Sequence, residues 1–150
     1  MSTISVPFEN RYITATGCAT AVSTIDFTAD DRTSGKLSGE LAKLADELAR
    51  YAAGEAVTFT AVLEPIGTPF QQLVWSTMRQ IPYGQTWTYG ELASAIGKPK
   101  AARAVGHACN RNPCAPVVPC HRVVAANGIG GYNGGIAMKQ HLLDFETKGR

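Results

Sequence analysis

Between Glu91 and Asp144 the chain has no acidic residue, yet that stretch carries Lys98, Lys100, Arg103, Arg111, Arg122, Lys139 and all three histidines. The absence is local, because the 150-residue chain as a whole has a net charge of only +2. Residues 1–65 hold 5 Lys/Arg against 9 Asp/Glu, net −4, and residues 66–150 hold 9 against 3, net +6. A one-sided positive field suits a polyanion, with DNA or RNA as the natural candidate; a solvated basic face is the plainer reading. No apolar run approaches the ~20 residues of a membrane span. Met1 to Arg11 also lacks the basic segment and continuous apolar region of a secretory signal. These absences point to the cytoplasm, or the nucleus in a eukaryote, and to no membrane partner.

Cysteine is scarce, at positions 18, 109, 114 and 120, and no two are spaced as the C-x-x-C pairs of a zinc knuckle. A reducing compartment disfavours disulfides, so free thiols are expected. No GxxxxGK pattern is present, which argues against phosphate-loop nucleotide binding. Charged residues at 17% and hydrophobic ones at 45% are ordinary for a folded globular chain. The length allows one domain, or two small ones packed together.

What is present is concentrated in the run from Asn112 to Val124, around Pro119-Cys120-His121-Arg122. Three prolines at 113, 116 and 119 exclude a helix interior before Cys120, and the flanking valine pairs read as short extended segments. The thiol is thus expected on a stiff, non-helical support. A neighbouring histidine and nearby cations would push a thiol from its free pKa of about 8.5 toward the reactive thiolate. A buried structural cysteine is the alternative, and both readings stand on local chemistry.

Along the chain, residues 4–28 contain β-leaning pieces, such as 12–16 and 21–27, separated by Gly17 and suited to a small antiparallel sheet. Residues 28–39 read as a loop. Leu41, Leu44, Ala45, Leu48 and Tyr51 fall at helical spacing before Gly54, and 57–63 alternates weakly as a possible strand before a linker at 64–67. Thr68, Pro69 and Gln71 form a capping box for a helix whose expected core face is Phe70, Leu73, Val74, Met78 and Ile81, with Trp75 as packing. Thr88 and Glu91 form a second box, with Leu92, Ala95 and Ile96 apolar and Gly97 as the stop.

Pro99 is placed to open a further helix through Ala108, completing a helix-turn-helix. Lys98 and Lys100 at its start would oppose the helix dipole unless a phosphate lies there. Ala101, Ala102, Ala104, Gly106 and Ala108 leave Arg103 as one long cation on a surface of small side chains. Such an Arg suits entry into a DNA groove or the place of a displaced base; a packed helix with Arg103 snorkelling is the alternative. Residues 127–135 hold five glycines and read as a loop that a ligand can approach closely. The spacing of Met138, Leu142 and Phe145 predicts a closing helix over 136–148, with Glu146 either exposed or turned inward onto a histidine.

Asn112-Pro113, Pro119-Cys120-His121-Arg122-Val123-Val124, Tyr89 and Arg103 in a helix-turn-helix, and Gly131-Tyr132-Asn133-Gly134-Gly135 together resemble the 6-O-alkylguanine-DNA alkyltransferases, over residues 68 to about 147. The resemblance implies an α+β chain: residues 1–65 as a small ribonuclease H-like sheet and helix domain, and residues 66–150 as a mainly helical domain with the helix-turn-helix and the active-site cysteine loop. It implies irreversible, stoichiometric transfer of an alkyl group from O6 of guanine in duplex DNA, and less well from O4 of thymine, to Cys120 after nucleotide flipping. His121 would take the thiol proton through a water, Glu146 would hold that imidazole, and Asn112 would brace the loop. Tyr89 would rotate the nucleotide and protonate the leaving guanine. Arg103 would fill the vacated stack, with Lys98, Lys100, Ala102 and Arg122 also on the DNA. Cys109, Val123, Tyr132 and Asn133 would line the pocket.

The implied partner is double-stranded DNA containing alkylated guanine, met from the minor groove by a monomer that needs no cofactor. Some relatives carry a zinc in the N-terminal domain, but residues 1–65 offer only Cys18 and no histidine, so no metal is expected. Cys109 departs from the residue often found at its place and would alter the room for bulky alkyl groups. A branch with tryptophan in place of the reactive cysteine is excluded by Cys120. Two rival readings use the same residues: a hydrolase or acyltransferase built on Cys120, His121 and Glu146, and a non-catalytic helix-turn-helix DNA-binding module.

Overall fold

The computed structural model describes residues 1–132 and 134–147. The chain divides into two compact units, Met1–Ile66 with Pro113–Val117, and Gly67–Asn112 with Val118–Arg150. The first holds a three-stranded antiparallel sheet of β1 (Ser2–Phe8), β2 (Arg11–Gly17) and β3 (Val22–Thr28) in that order, covered by α1 (Gly39–Ala52). The β1–β2 turn places Glu9 at φ 54, a left-handed conformation that sequence reading did not single out.

Helix α1 buries Leu41, Leu44, Leu48 and Tyr51 against the sheet, where the Tyr51 and Phe8 rings lie 6.1 Å apart. It stops as expected before Gly54, whose φ of 94° suits only a residue without Cβ. On the opposite face the sheet carries hydroxyls rather than apolar groups: Ser5 Oγ meets Thr14 Oγ1 at 2.7 Å, and Thr14 Oγ1 meets Thr28 Oγ1 at 2.7 Å. The 28–39 loop lies along the free edge of β1, where Thr3 and Ser34 exchange backbone hydrogen bonds of 2.8 Å.

Residues 57–63 do not form the strand that their alternation suggested. Only one bridge, Val22 to Leu63, forms there, and Glu47 instead gathers the segment by accepting from Thr60 N, Thr60 Oγ1 and Ala61 N. At the far edge of β3, the Ile25 amide donates to Pro113 O at 2.9 Å, and Cys114 bridges to Ile25. That pairing is why Pro113–Val117 belongs with the first unit.

The second unit comprises α2 (Pro69–Met78), β4 (Trp87–Thr88), α3 (Tyr89–Ala95), α4 (Ala102–Asn110), a one-turn 3-10 helix at Cys120–Arg122, β5 (Val123–Val124) and α5 (Ile136–Thr147). Both capping boxes are formed: Gln71 N–H donates to Thr68 Oγ1 at 3.1 Å and Glu91 N–H to Thr88 Oγ1 at 3.0 Å, each box closed by its reciprocal bond. Val74 and Met78 on α2, and Ile81 just beyond it, are buried as expected, and Trp75 packs as expected. Leu73 is 41% exposed while Trp75 is buried, because the indole N–H donates to Ala108 O at 2.8 Å and the ring passes over Gly67.

Helix α3 ends in a Schellman motif, with Gly97 N–H on Ser94 O, Lys98 N–H on Ala93 O, and Gly97 at φ 78°. It buries Leu92 and Ala93 and leaves Ala95 exposed. Helix α4 starts at Ala102, three residues later than Pro99 suggested, since residues 98–101 close a turn through Ala101 N–H on Lys98 O. Among the described residues no helix is long and apolar enough to cross a membrane.

The Thr88 cap fixes where α3, and with it Tyr89, begins. Thr88→Val keeps the shape and deletes the acceptor, and is expected to cost about 1 kcal/mol in urea unfolding; an unchanged midpoint would show that the cap carries no stability.

Candidate functional site

Cys120 opens the 3-10 turn with Pro119 as its N-cap, so the prolines end at the helix boundary and the thiol sits on a helical turn rather than on the non-helical support expected. A proline is tolerated there because only an interior position would need its missing N–H. The turn leads directly into β5, which pairs in parallel with β4 through Trp87–Val123 and Thr88–Val124. One short ladder thus joins the cysteine turn to the start of α3, where Tyr89 stands.

Cys120 is buried, and Asn112 Nδ2 donates both to its Sγ at 3.3 Å and to Val118 O at 2.7 Å, tying the thiol to the loop that presents it. Burial pushes the thiol above its ordinary value, against the hydrogen bonds of Asn112 and Tyr132 and the charge of Lys139, which pull it down. The resting group is therefore a protonated thiol. His121 is fully buried; its Nε2 lies 2.6 Å from Glu146 Oε2, and its Nδ1 has no hydrogen-bond partner among the described residues. Burial holds the imidazole below its usual range, outweighing Glu146. A neutral ring with its proton on Nε2 leaves the Nδ1 lone pair free as a base.

Glu146 turns inward and serves two partners. It accepts from His121, and from Arg122 Nε at 2.7 Å and Nη2 at 3.1 Å. Burial would raise its carboxyl, but His121 and Arg122 overcome that and hold it at about 2. Arg122 was expected on DNA, and this is a correction: its side chain is buried, paired with Glu146 and donating to Ile81 O at 2.8 Å, so it faces the interior rather than a phosphate.

Tyr89 is half-buried. Its ring passes close to Gly130, its hydroxyl reaches Gly131 O at 3.4 Å, and Lys139 Nζ stands 5.7 Å from the ring centroid. Burial raises its hydroxyl, and Cys109 and Cys120, when ionised, push the same way. Cys109 faces the interior 3.6 Å from Met78 Sδ, with its thiol pushed up to about 12 by burial and by Cys120. Val123 is buried beside Cys120, and Asn133 lies outside the described residues. Arg103, Lys98 and Lys100 are exposed and Ala102 half-buried, on α4 and the turn before it. The Lys98 amide is spent on Ala93, so it is not free for a phosphate.

Sequence reading missed Lys139. It is fully buried, and its Nζ donates to Val123 O at 2.6 Å and Gly131 O at 3.0 Å, stitching the cysteine strand to the glycine-rich loop. The buried face of α5 is Lys139, Leu142 and Glu146 rather than the expected Met138, Leu142 and Phe145. The i, i+3, i+7 spacing of those three was the available signal, obscured by two of them being charged.

The depressed Glu146 has a consequence for stability. Its folded value lies below the unfolded 4.5, so its contribution is complete above about pH 4.5 and is lost as the pH falls toward about 2. The shift amounts to roughly 3 kcal/mol. Glu146→Gln should flatten acid unfolding in that window and lower stability at neutral pH, as denaturant titrations across the range would register; an unchanged acid profile would contradict the pairing.

The family model for the DNA-binding domain of 6-O-methylguanine DNA methyltransferase matches residues 69–148. A methylated-DNA--protein-cysteine methyltransferase from Methanosarcina acetivorans is 54% identical over 101 residues, covering 67% of this chain and 65% of its own length. A counterpart from Mycobacterium leprae is 49% identical over 110 residues, 73% of this chain and 67% of that protein. The crystal structure of the Mycobacterium tuberculosis O6-methylguanine methyltransferase superposes with a TM-score of 0.83 at 37% identity, over 98% of this chain and 93% of that one. A structure of Mycobacterium tuberculosis OGT in complex with DNA gives 0.82 at 38% identity, over 97% and 92%. The family model over residues 69–148, more than half of the chain, together with relatives at about 50% identity, shows that the chain belongs to the 6-O-methylguanine DNA methyltransferase family.

Proposed function

We propose that the protein repairs alkylated DNA directly, by moving an alkyl group from O6 of guanine to Cys120. The observation that carries this reading is the relay Cys120, His121, Glu146: a buried protonated thiol, a neutral imidazole whose Nδ1 is uncommitted, and a carboxylate fixed on the opposite ring nitrogen. The thiol proton passes through a water to His121 Nδ1, and Glu146 stabilises the imidazolium that forms. The sulfur then attacks the alkyl carbon, the carbon–oxygen bond breaks, and the electron pair leaves on guanine, which takes a proton from Tyr89. The product is a thioether on Cys120. Nothing in the relay regenerates the thiol, so each molecule acts once.

The target atom lies inside a duplex, so the nucleotide must leave the stack, and the exposed Arg103 among small residues on α4 is suited to fill the gap. Lys98, Lys100 and Ala102 would lie along the backbone in the minor groove, while Cys109, Val123, Tyr132 and Asn133 would line the pocket. Residues 66–150 would carry both DNA binding and chemistry, and residues 1–65 would serve as a structural domain. O4-alkylthymine would be a poorer substrate of the same site. Such work belongs in the cytoplasm, or in the nucleus of a eukaryote. Lys139 would steady the thiolate by charge and keep Val123 and Gly131 in place.

Incubation with duplex containing O6-methylguanine, followed by intact mass and peptide mapping, tests the reading. The expected result is the mass of one methylene gained on Cys120, saturating at one per molecule; repeated turnover, or no adduct, would contradict it. Lys139→Met should slow transfer at least about tenfold if the charge assists thiolate formation, with the largest deficit at low pH. An unchanged rate and pH profile would remove Lys139 from the mechanism.

A further inference from the structure

We infer that the outer side of the β4–α3 junction is a second nucleotide-binding groove, in which a base of the DNA strand stacks on Trp87 while neighbouring phosphates meet Lys98 and Lys100. The inference rests on the DNA-repair reading, shares Lys98 and Lys100 with it, and adds a stacking contact at Trp87 that the reading does not use. The groove has a volume of about 800 Å³ and is lined by Trp87, Thr88, Glu91, Ser94, Ala95 and Pro99, among others. That is room for a nucleotide, within the range of sites that hold small organic ligands.

Two tryptophans occupy contrasting places. Trp75 is buried with its N–H on Ala108 O, whereas Trp87 is half-buried and its indole N–H finds no hydrogen-bond partner among the described residues. A large aromatic ring on a groove wall is a stacking platform for any base. The charge around it matches. Lys98 and Lys100 do not line the groove themselves but flank Pro99, which does; both are exposed, and neither has an ion-pair partner among the described residues, unlike Lys43, Arg50 and Arg122. Glu91 is the one acid in the wall, and one of its carboxylate oxygens is engaged by the Thr88 amide. Thr88 and Ser94 bring hydroxyls suited to sugar or phosphate oxygens.

Position along the chain gives the groove a purpose. Tyr89 follows Trp87 by two residues and faces the cysteine cluster, while Trp87 lines the groove and pairs with Val123 in the same ladder. A strand held in the groove is therefore anchored two residues from the side chain assigned to nucleotide rotation.

The test uses the full chain, an unmodified single-stranded oligonucleotide and a free alkylguanine base. Trp87 carries the solvent-facing indole, so oligonucleotide should quench its emission, and Trp87→Phe should abolish that signal. Ala95→Glu, an exposed change in the wall, should weaken oligonucleotide binding about tenfold and reduce its salt dependence, without a matching loss in Cys120 alkylation by the free base. Unchanged affinity in Ala95→Glu, unquenched Trp87, or equal losses on DNA and free base would overturn the groove. Quenching by oligonucleotide in a wild-type protein that forms no Cys120 adduct from either substrate would leave the groove standing and overturn alkyl transfer instead.

Discussion

The buried carboxylate of Glu146 is the interaction on which the second unit depends. It binds the imidazole of His121 and the guanidinium of Arg122, two consecutive residues of the cysteine turn, and so clamps that turn to α5. A permanent positive charge from Arg122 lets the carboxyl stay ionised in the interior, and an ionised carboxyl fixes the proton of His121 on Nε2. Stability and chemistry are thus joined in one network: removing the acid strands a buried arginine and releases the histidine tautomer together.

Around that clamp burial holds the thiol in its protonated form. Burial favours the protonated form, whereas Asn112, Lys139 and Tyr132 each favour the thiolate. In the proposed transfer this balance would hold the thiol protonated at rest and leave stabilising groups in place once His121 takes its proton. The β4–β5 ladder sets Tyr89 and Cys120 in register, and Lys139 ties the cysteine strand to the glycine-rich loop, so the groups assigned to base handling and to alkyl acceptance share one rigid support.

Much of this was legible in the residues because it rests on local rules. The Thr68 and Thr88 capping boxes and the Gly54 and Gly97 stops depend on a few adjacent side chains and appear as read. What escaped depends on distant partners. Pro113–Val117 joined the first unit by pairing with β3, and Arg122 left the surface because an acid 24 residues away was waiting for it. Lys139 was hidden for a related reason: a charge at a core position looks like surface until the carbonyls that receive it are known. The roles assigned to Cys120, His121 and Asn112 came from family resemblance, and geometry adds the direction of each hydrogen bond.

The proposed transfer requires His121 to rest as a neutral imidazole with its proton on Nε2 and an open Nδ1. Nitrogen NMR of the imidazole in the unreacted protein at neutral pH tests it most directly. One protonated ring nitrogen, on the Glu146 side, and one unprotonated nitrogen are expected; two protonated nitrogens, or a proton on Nδ1, would contradict the proposed proton transfer.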